Sequence, residues 1–233
     1  MRAIYYDFET TGLKADKDRV IELAFLDIVS GQHFSSFVNP GVSISAEITA
    51  ITGITDAMVK DAPPFGELID SIISFCQPPC ILVAHNNDAF DYHFLKTEFE
   101  RSGKKLPDWK FFDSLKWAKK YRPDLPKHAL QYLREVYKIE ENNAHRALDD
   151  VKVLASVVSQ LLDDLPIATA VDLLYGSTAP SQEPTMPFGK HKGTLLKQLP
   201  KGYLDWLKQS GALDKKENSS LKEAIEKLHG VLV

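Results

Sequence analysis

The sequence predicts an α/β protein with a small helical C-terminal module, on three observations. Val20 to Ile28 and His33 to Val38 read as strands joined by a tight Ser30-Gly31 connection, a hairpin signal. Strand-like and helical stretches then alternate, as a layered α/β architecture requires. Near residue 176 this pattern gives way to a polar, proline-bearing run without periodicity. At 233 residues and 44% apolar, the chain has enough material for one sizeable core and a small appendage.

The first element is a short β-forming run, Ala3-Ile4-Tyr5-Tyr6, continuing into Asp7-Phe8-Glu9. Residues i and i+2 of a strand share a face, so Asp7 and Glu9 stand side by side with Phe8 directed into the core. Thr10-Thr11-Gly12-Leu13 then supplies hydroxyls, exposed backbone and a turn. An ordinary half-exposed strand with acids on its solvent side fits the same residues. The apolar run Ile81-Leu82-Val83-Ala84 reads as a buried strand, followed by His85-Asn86-Asn87-Asp88 and a helix from Ala89 to about Ser102. Asp91 falls in the first turn of that helix, and Asp88 is suited to its N-cap. Ala144 to Leu162 forms a further helix, with Ala147, Leu148, Val151, Leu154, Ala155, Val158 and Leu161 at helical spacing. His145 and Asp150 near its start are about 140° apart around the axis, so they do not stack but border one cavity. Cys76 and Cys80 flank Gln-Pro-Pro and read as free thiols, since the chain has only 2 cysteines and no evident zinc partners.

Carboxylates drawn from separate stretches are how a chain builds a site for hard divalent cations, which take oxygen ligands. Two side-by-side carboxylates repel each other in a cleft unless cations offset them. A helix start favours negative charge, whether carboxylate or phosphate. A nearby histidine has the right chemistry to take a proton from water.

In this order, over about 150 residues, the motifs Asp7-Phe8-Glu9-Thr10-Thr11-Gly12-Leu13, Ala84-His85-Asn86…Phe90-Asp91-Tyr92-His93-Phe94-Leu95 and His145…Asp150 resemble those of the DEDD exonucleases, the superfamily of the polymerase proofreading subunits. His145, five residues before the last acid, matches the histidine subclass. Ile51-Thr52-Gly53-Ile54-Thr55 within Ile44–Val59 is similar to a connecting segment that usually reads I-H-G-I-T. Phe112-Asp113-Ser114-Leu115 and the segment from His128 to Val136 agree with the same pattern. One departure stands out: the family's A-H-N-A-x-F-D is one residue longer here, through Asn87-Asp88-Ala89. Asp91 aligns with the family's acid, and Asp88 competes for that place.

The resemblance implies an RNase H-like fold, a mixed five-stranded sheet flanked by helices. It implies two Mg²⁺ or Mn²⁺ ions per active site, bridged by Asp7, with Glu9 and Asp150 completing one position and Asp91 the other. His145 is then the general base for in-line attack on the terminal phosphodiester, releasing nucleoside 5′-monophosphates in the 3′ to 5′ direction. Leu13 resembles the family's apolar wedge, with Thr10, Thr11, His85 and Asn86 as further substrate contacts. An RNA-trimming exoribonuclease of the same superfamily and a noncatalytic nucleic-acid-binding scaffold are the rival readings.

The boundaries expected are an exonuclease domain over 1–175, a linker over 176–185 and a basic module over 186–233. Residues 1–185 carry 19 Lys+Arg against 27 Asp+Glu, whereas 186–233 carry 9 against 5, so the charge changes sign from −8 to +4. The tail, with Phe188-Gly189-Lys190-His191-Lys192-Gly193 and Tyr203-Leu204-Asp205-Trp206-Leu207, is similar to the small C-terminal module of exonuclease X-type proteins. Gly189 and Gly193 suggest tight turns presenting Lys190 and Lys192 to nucleic acid, and Phe188, Tyr203 and Trp206 suggest a mini-core. A solvated lysine-rich helical surface fits the same composition. The expected partner is a single-stranded 3′ end, DNA before RNA, and the module also permits homodimer or protein contacts. No apolar run of about 18 residues and no signal-like start is present, so the expectation is a cytoplasmic protein with no membrane partner. A place in DNA repair is a separate expectation.

Overall fold

The computed structural model describes residues 1–140, 144–176, 185–214 and 218–229 and divides after Gly176 into two compact units. The linker expected over 176–185 falls, but for its first and last residues, outside the described residues. Among the described residues no single helix is long and apolar enough to cross a membrane.

The first unit is built on the mixed five-stranded sheet expected, comprising β1 (Arg2–Thr10), β2 (Val20–Asp27), β3 (His33–Phe37), β4 (Cys80–Ala84) and β5 (Lys110–Asp113). The strands lie in the order β3-β2-β1-β4-β5, with β1–β2 and β2–β3 antiparallel and β1–β4 and β4–β5 parallel. The β2–β3 turn is where the sequence put it. The Asp27 carboxylate accepts from the Val29 N–H at 3.0 Å, and Gly31 takes the left-handed φ of 70° that the turn needs.

Helices cover both faces, so β2 is buried along its whole length and reads as a nearly continuous apolar run. Ile4, Tyr6 and Phe8 of β1 pack against α3 (Phe65–Phe75) and α4 (Asp91–Arg101) through Phe65, Ile69, Ile72, Phe94 and Phe99. On the opposite face Tyr5 packs with Trp117 of α5 (Ser114–Tyr121), Val151, Leu154 and Val158 of α7 (Ala147–Leu162) and Val171 of α8 (Ile167–Tyr175). Each such fully buried side chain is worth roughly 1.5–3 kcal/mol. Asp7 and Glu9 share the Tyr5 face, so their carboxylates emerge where α7 begins. The connection after β3 holds α1 (Ala46–Thr52) and α2 (Asp56–Val59), and α6 (Leu130–Val136) precedes α7. Thr52, standing where the resemblance has histidine, bonds locally: its hydroxyl donates to the Ile48 carbonyl at 3.0 Å and accepts from the Ile54 N–H at 3.1 Å. Cys76 and Cys80 are buried free thiols.

Two helix starts differ from the sequence reading. The last motif's helix starts at Ala147 rather than Ala144. His145 has φ 64°, Arg146 is extended, and Glu22 of β2 binds both the Arg146 guanidinium and the Ala147 N–H. The middle motif's helix starts at Asp91 rather than Ala89. The Asn86 and Asn87 carbonyls capture the N–H groups of Ala89, Phe90 and Tyr92 in a turn first.

In the second unit a bridge pairs Thr185 with Leu195, and α9 (Lys201–Gln209) and α10 (Ser219–His229) follow. Its core is Met186, Leu196, Leu199, Tyr203, Leu204, Leu207, Leu213 and Ile225, with Phe188 packed against it. Trp206, expected in that core, is instead 53% exposed. It is one position short of the Tyr203–Leu204–Leu207 stripe and lies over the outer face of Tyr203.

Candidate active site

The site forms at the end of β1. Asp7 and Glu9 project from the strand, Asp150 comes from the first turn of α7, and their ligand oxygens all lie within 4.8 Å of one another. Asp150 is fixed from two sides: Gln131 of α6 donates to one oxygen at 3.1 Å, and the His145 backbone N–H donates to the other at 2.8 Å. His145 itself is exposed, held in the left-handed region on the residue pair that leads into α7.

Asp91 lies near this group, at the start of α4, where its charge acts on Asp7. It is 1% exposed, and its Oδ1 is buried without a hydrogen-bond partner among the described residues. Burial pushes its carboxyl up to about 8, with the nearby carboxylates of Asp113 and Glu9 adding to the rise, while backbone N–H bonds oppose it. Burial also raises Asp7 well above the usual carboxylate range, and the charges of Asp91, Glu9, Asp150 and Glu22 raise it further. Glu9 is pushed up to about 7 by burial and then by Asp150 and Glu22. Arg146 is the cation that opposes this for Glu9, and its guanidinium is engaged by Glu22 at 2.9 Å. The chain thus gathers more negative charge than its own cations offset. An all-oxygen set with a buried, unpartnered carboxylate oxygen suits a hard divalent cation.

The longer middle loop is absorbed before the helix. Asn86 takes φ 69°, the Asn87 side chain is buried beneath Tyr6, whose hydroxyl donates to it, and Asp113 accepts the N–H groups of Asn86 at 3.2 Å and Asp88 at 2.9 Å. Asp88, the competing acid, is exposed, pairs with Lys116 at 3.0 Å and accepts from the Tyr175 hydroxyl at 3.0 Å. His85 is turned toward Ser114, with 2.9 Å between Nδ1 and Oγ. Burial lowers its pKa to about 4, leaving it neutral. Its Nε2 is buried and has no hydrogen-bond partner among the described residues, and the Asn86 N–H is held by Asp113.

The turn after β1 is internally bonded. The Thr10 hydroxyl donates to the Gly12 carbonyl at 2.6 Å, and the Thr11 hydroxyl accepts from Arg19 N–H at 3.0 Å. Leu13 on this turn is 84% exposed. Buried Glu98 of α4 anchors the loop: it binds Arg19 at 2.8 Å and Arg101 at 2.9 Å, and Arg101 in turn donates to the carbonyls of Asp16 and Asp18. Lys190 and Lys192 are exposed residues of the second unit. Sequence reading missed Glu22, Gln131 and Arg146, although a carboxylate inside the otherwise apolar stretch from Val20 to Leu26 was a visible signal for the first.

A family model described as "Exonuclease" matches residues 4–158, and another, described as "Putative quorum-sensing-regulated virulence factor", matches residues 181–226. The chain is 33% identical over 165 residues to the "DNA polymerase III PolC-type" of Caldanaerobacter subterraneus subsp. tengcongensis, covering 70% of this chain and 12% of the polymerase. It is 36% identical over 196 residues to "Exonuclease DPD1, chloroplastic/mitochondrial" of Arabidopsis thaliana, covering 77% of this chain and 62% of that one. A solved structure of exonuclease X in complex with 5′ overhanging duplex DNA superposes with a TM-score of 0.53 at 25% identity, covering 69% of this chain and 91% of that chain.

Proposed function

Because the chain belongs to the exonuclease family, we propose that it removes nucleoside 5′-monophosphates one at a time from 3′ ends of DNA, single-stranded ends or 3′ overhangs first. The observation that carries this reading is the carboxylate group itself: three acids with ligand oxygens within 4.8 Å, and near them a fourth whose buried oxygen has no partner among the described residues. Asp7, Glu9, Asp91 and Asp150 would hold two Mg²⁺ or Mn²⁺ ions. Bound there, such ions polarise the phosphodiester, ease deprotonation of the attacking water and neutralise the leaving oxygen.

The chain's own residues do the rest. His145 takes the proton from the attacking water; its exposed position and its backbone bond to Asp150 favour that role. Gln131 and that same amide orient Asp150, while the Glu22–Arg146 pair fixes where α7 starts. Exposed Leu13, on a turn anchored through Glu98, presents an apolar surface to the terminal base, which makes binding tolerant of sequence. Preference for DNA is supported by what the similar polymerase and exonuclease X act on or bind.

The test is digestion of matched 5′-labelled single-stranded DNA and RNA with Mg²⁺ or Mn²⁺, beside His145→Ala. A descending DNA ladder is expected, slowed about 10²- to 10⁴-fold in the variant. Faster shortening of RNA would transfer the reading to an exoribonuclease. No shortening of either strand with either metal would overturn it in favour of a nucleic-acid-binding scaffold.

A further inference from the structure

The second unit carries a cleft of its own, of about 760 Å³, lined by Gly189, Lys190, His191, Pro200, Gly202, Tyr203 and Trp206. Its composition is unlike a packing defect. Three aromatic rings are layered along one wall: His191 and Tyr203 have centroids 4.4 Å apart, and Tyr203 and Trp206 are stacked at 5.5 Å and 16°. Trp206, the outermost, leaves its other side to solvent at 53% exposure, whereas the remaining tryptophans, Trp109 and Trp117, are 6% and 3% exposed. A large apolar ring left open in this way is lost burial unless something covers it.

The backbone is shaped to keep the cleft open. Gly189 and Gly193 take φ 73° and 83°, and a Cβ at Gly189 would come within 2.6 Å of the Tyr203 hydroxyl. Only glycine lets the turn lie flat over that ring. The hydroxyl beneath it is buried and has no hydrogen-bond partner among the described residues. Lys190 Nζ stands 5.8 Å from the Tyr203 centroid, and Lys192 is exposed on the same turn. None of the described residues lining the cleft is acidic. The sequence around it, 186–233, has a net charge of +4, against −8 for 1–185.

A stacking surface bordered by cations calls for a ligand that is flat, aromatic and anionic at repeating intervals. We propose that this cleft binds single-stranded nucleic acid, with a base stacked on Trp206 and adjoining phosphates met by Lys190 and Lys192. Stacking is blind to base identity, and phosphate contact is blind to sequence, so the site is a general holding point for a strand. It extends the nuclease reading by adding a second binding element that needs no divalent cation, and this separates its test from that of the carboxylate site.

The experiment uses the full chain in EDTA, where the strand is not digested, titrated with a short oligothymidylate. With two of the three tryptophans buried, a base stacking on Trp206 quenches the exposed part of the emission. Labelled-oligonucleotide anisotropy should show Trp206→Ala weakening binding about 5- to 100-fold, with Trp206→Phe retaining most of it. The pair Lys190→Ala and Lys192→Ala should weaken binding and lower the salt slope by roughly 1.4. Trp206 is exposed, so these variants leave the core intact, and circular dichroism checks this. Asp7→Asn should abolish digestion yet leave the quenching as it was, so failure of one site is read apart from the other. Unmoved emission, with Trp206→Ala binding the strand as tightly as the parent chain, would overturn the proposal and leave the cleft to a protein or peptide partner.

Discussion

Asp7 sits at the point of greatest conflict in the first unit, ringed by Asp91, Glu9, Asp150 and Glu22. Without a cation, Asp7→Asn removes a charge that repels all four, so it should raise the melting temperature of the metal-free protein while abolishing stabilisation by Mg²⁺ and activity. A melting temperature lowered in EDTA would show that the Asp7 carboxylate is instead a structural ligand. The pH dependence follows with a definite sign. Glu9 titrates near 4.5 when unfolded and at about 7 when folded, so the folded state binds the extra proton. Its contribution to stability is therefore complete below pH about 4.5 and is lost as pH rises through about 7, on the order of 3 kcal/mol. Urea titrations in EDTA from pH 4.5 to 8 should show this decline, and saturating Mg²⁺ should flatten it. Strand periodicity sets Asp7 beside Glu9 in the sequence, whereas Asp91 and Asp150 were legible as site acids only through the resemblance of their motifs. Glu22 was not, because its task, holding Arg146 and the Ala147 N–H, depends on a partner 124 residues away.

Among the elements, α7 shows most clearly how local geometry and function pull apart. Its apolar spacing was readable from Ala147 to Leu161, but its start was not, since His145 adopts φ 64° where a β-carbon is disfavoured. His145→Gly should raise stability by about 0.5 kcal/mol while slowing turnover about 10²- to 10⁴-fold, a separation measurable by denaturant titration beside the ladder assay. A loss of stability instead would mean that the side chain, not the backbone, holds this corner. The loop before α4 offers a second test. Tyr6→Phe leaves the buried Asn87 side-chain oxygen without its hydroxyl donor and should cost about 1–3 kcal/mol. Because that loop leads into Asp91, the same variant should weaken Mg²⁺ binding, as calorimetry would report. Sequence could announce the extra residue but not its accommodation, which rests on Asp113 at the end of another strand accepting two of the loop's amides.

For the whole molecule, the division after Gly176 separates an acidic unit with a carboxylate site from a basic unit with an aromatic cleft. Composition and charge made that division visible; the open position of Trp206 was not, because helical spacing alone does not say which ring ends the stripe. Two unfolding transitions are expected by calorimetry, with Mg²⁺ raising only that of the first unit. A single transition shifted by Mg²⁺ as a whole would show the units to be energetically fused. Within the first unit, the strand order puts β1 in the middle of the sheet, bonded on both sides. Such a strand opens last, so in hydrogen exchange its amides should be among the slowest of the chain. His145 belongs to a surface corner and Leu13 to a surface turn, each with its side chain exposed. In the proposed mechanism, a stress that opened these two segments ahead of β1 would remove the proposed proton acceptor and the proposed base contact first, while the carboxylates stayed assembled and ready for the corner to close again.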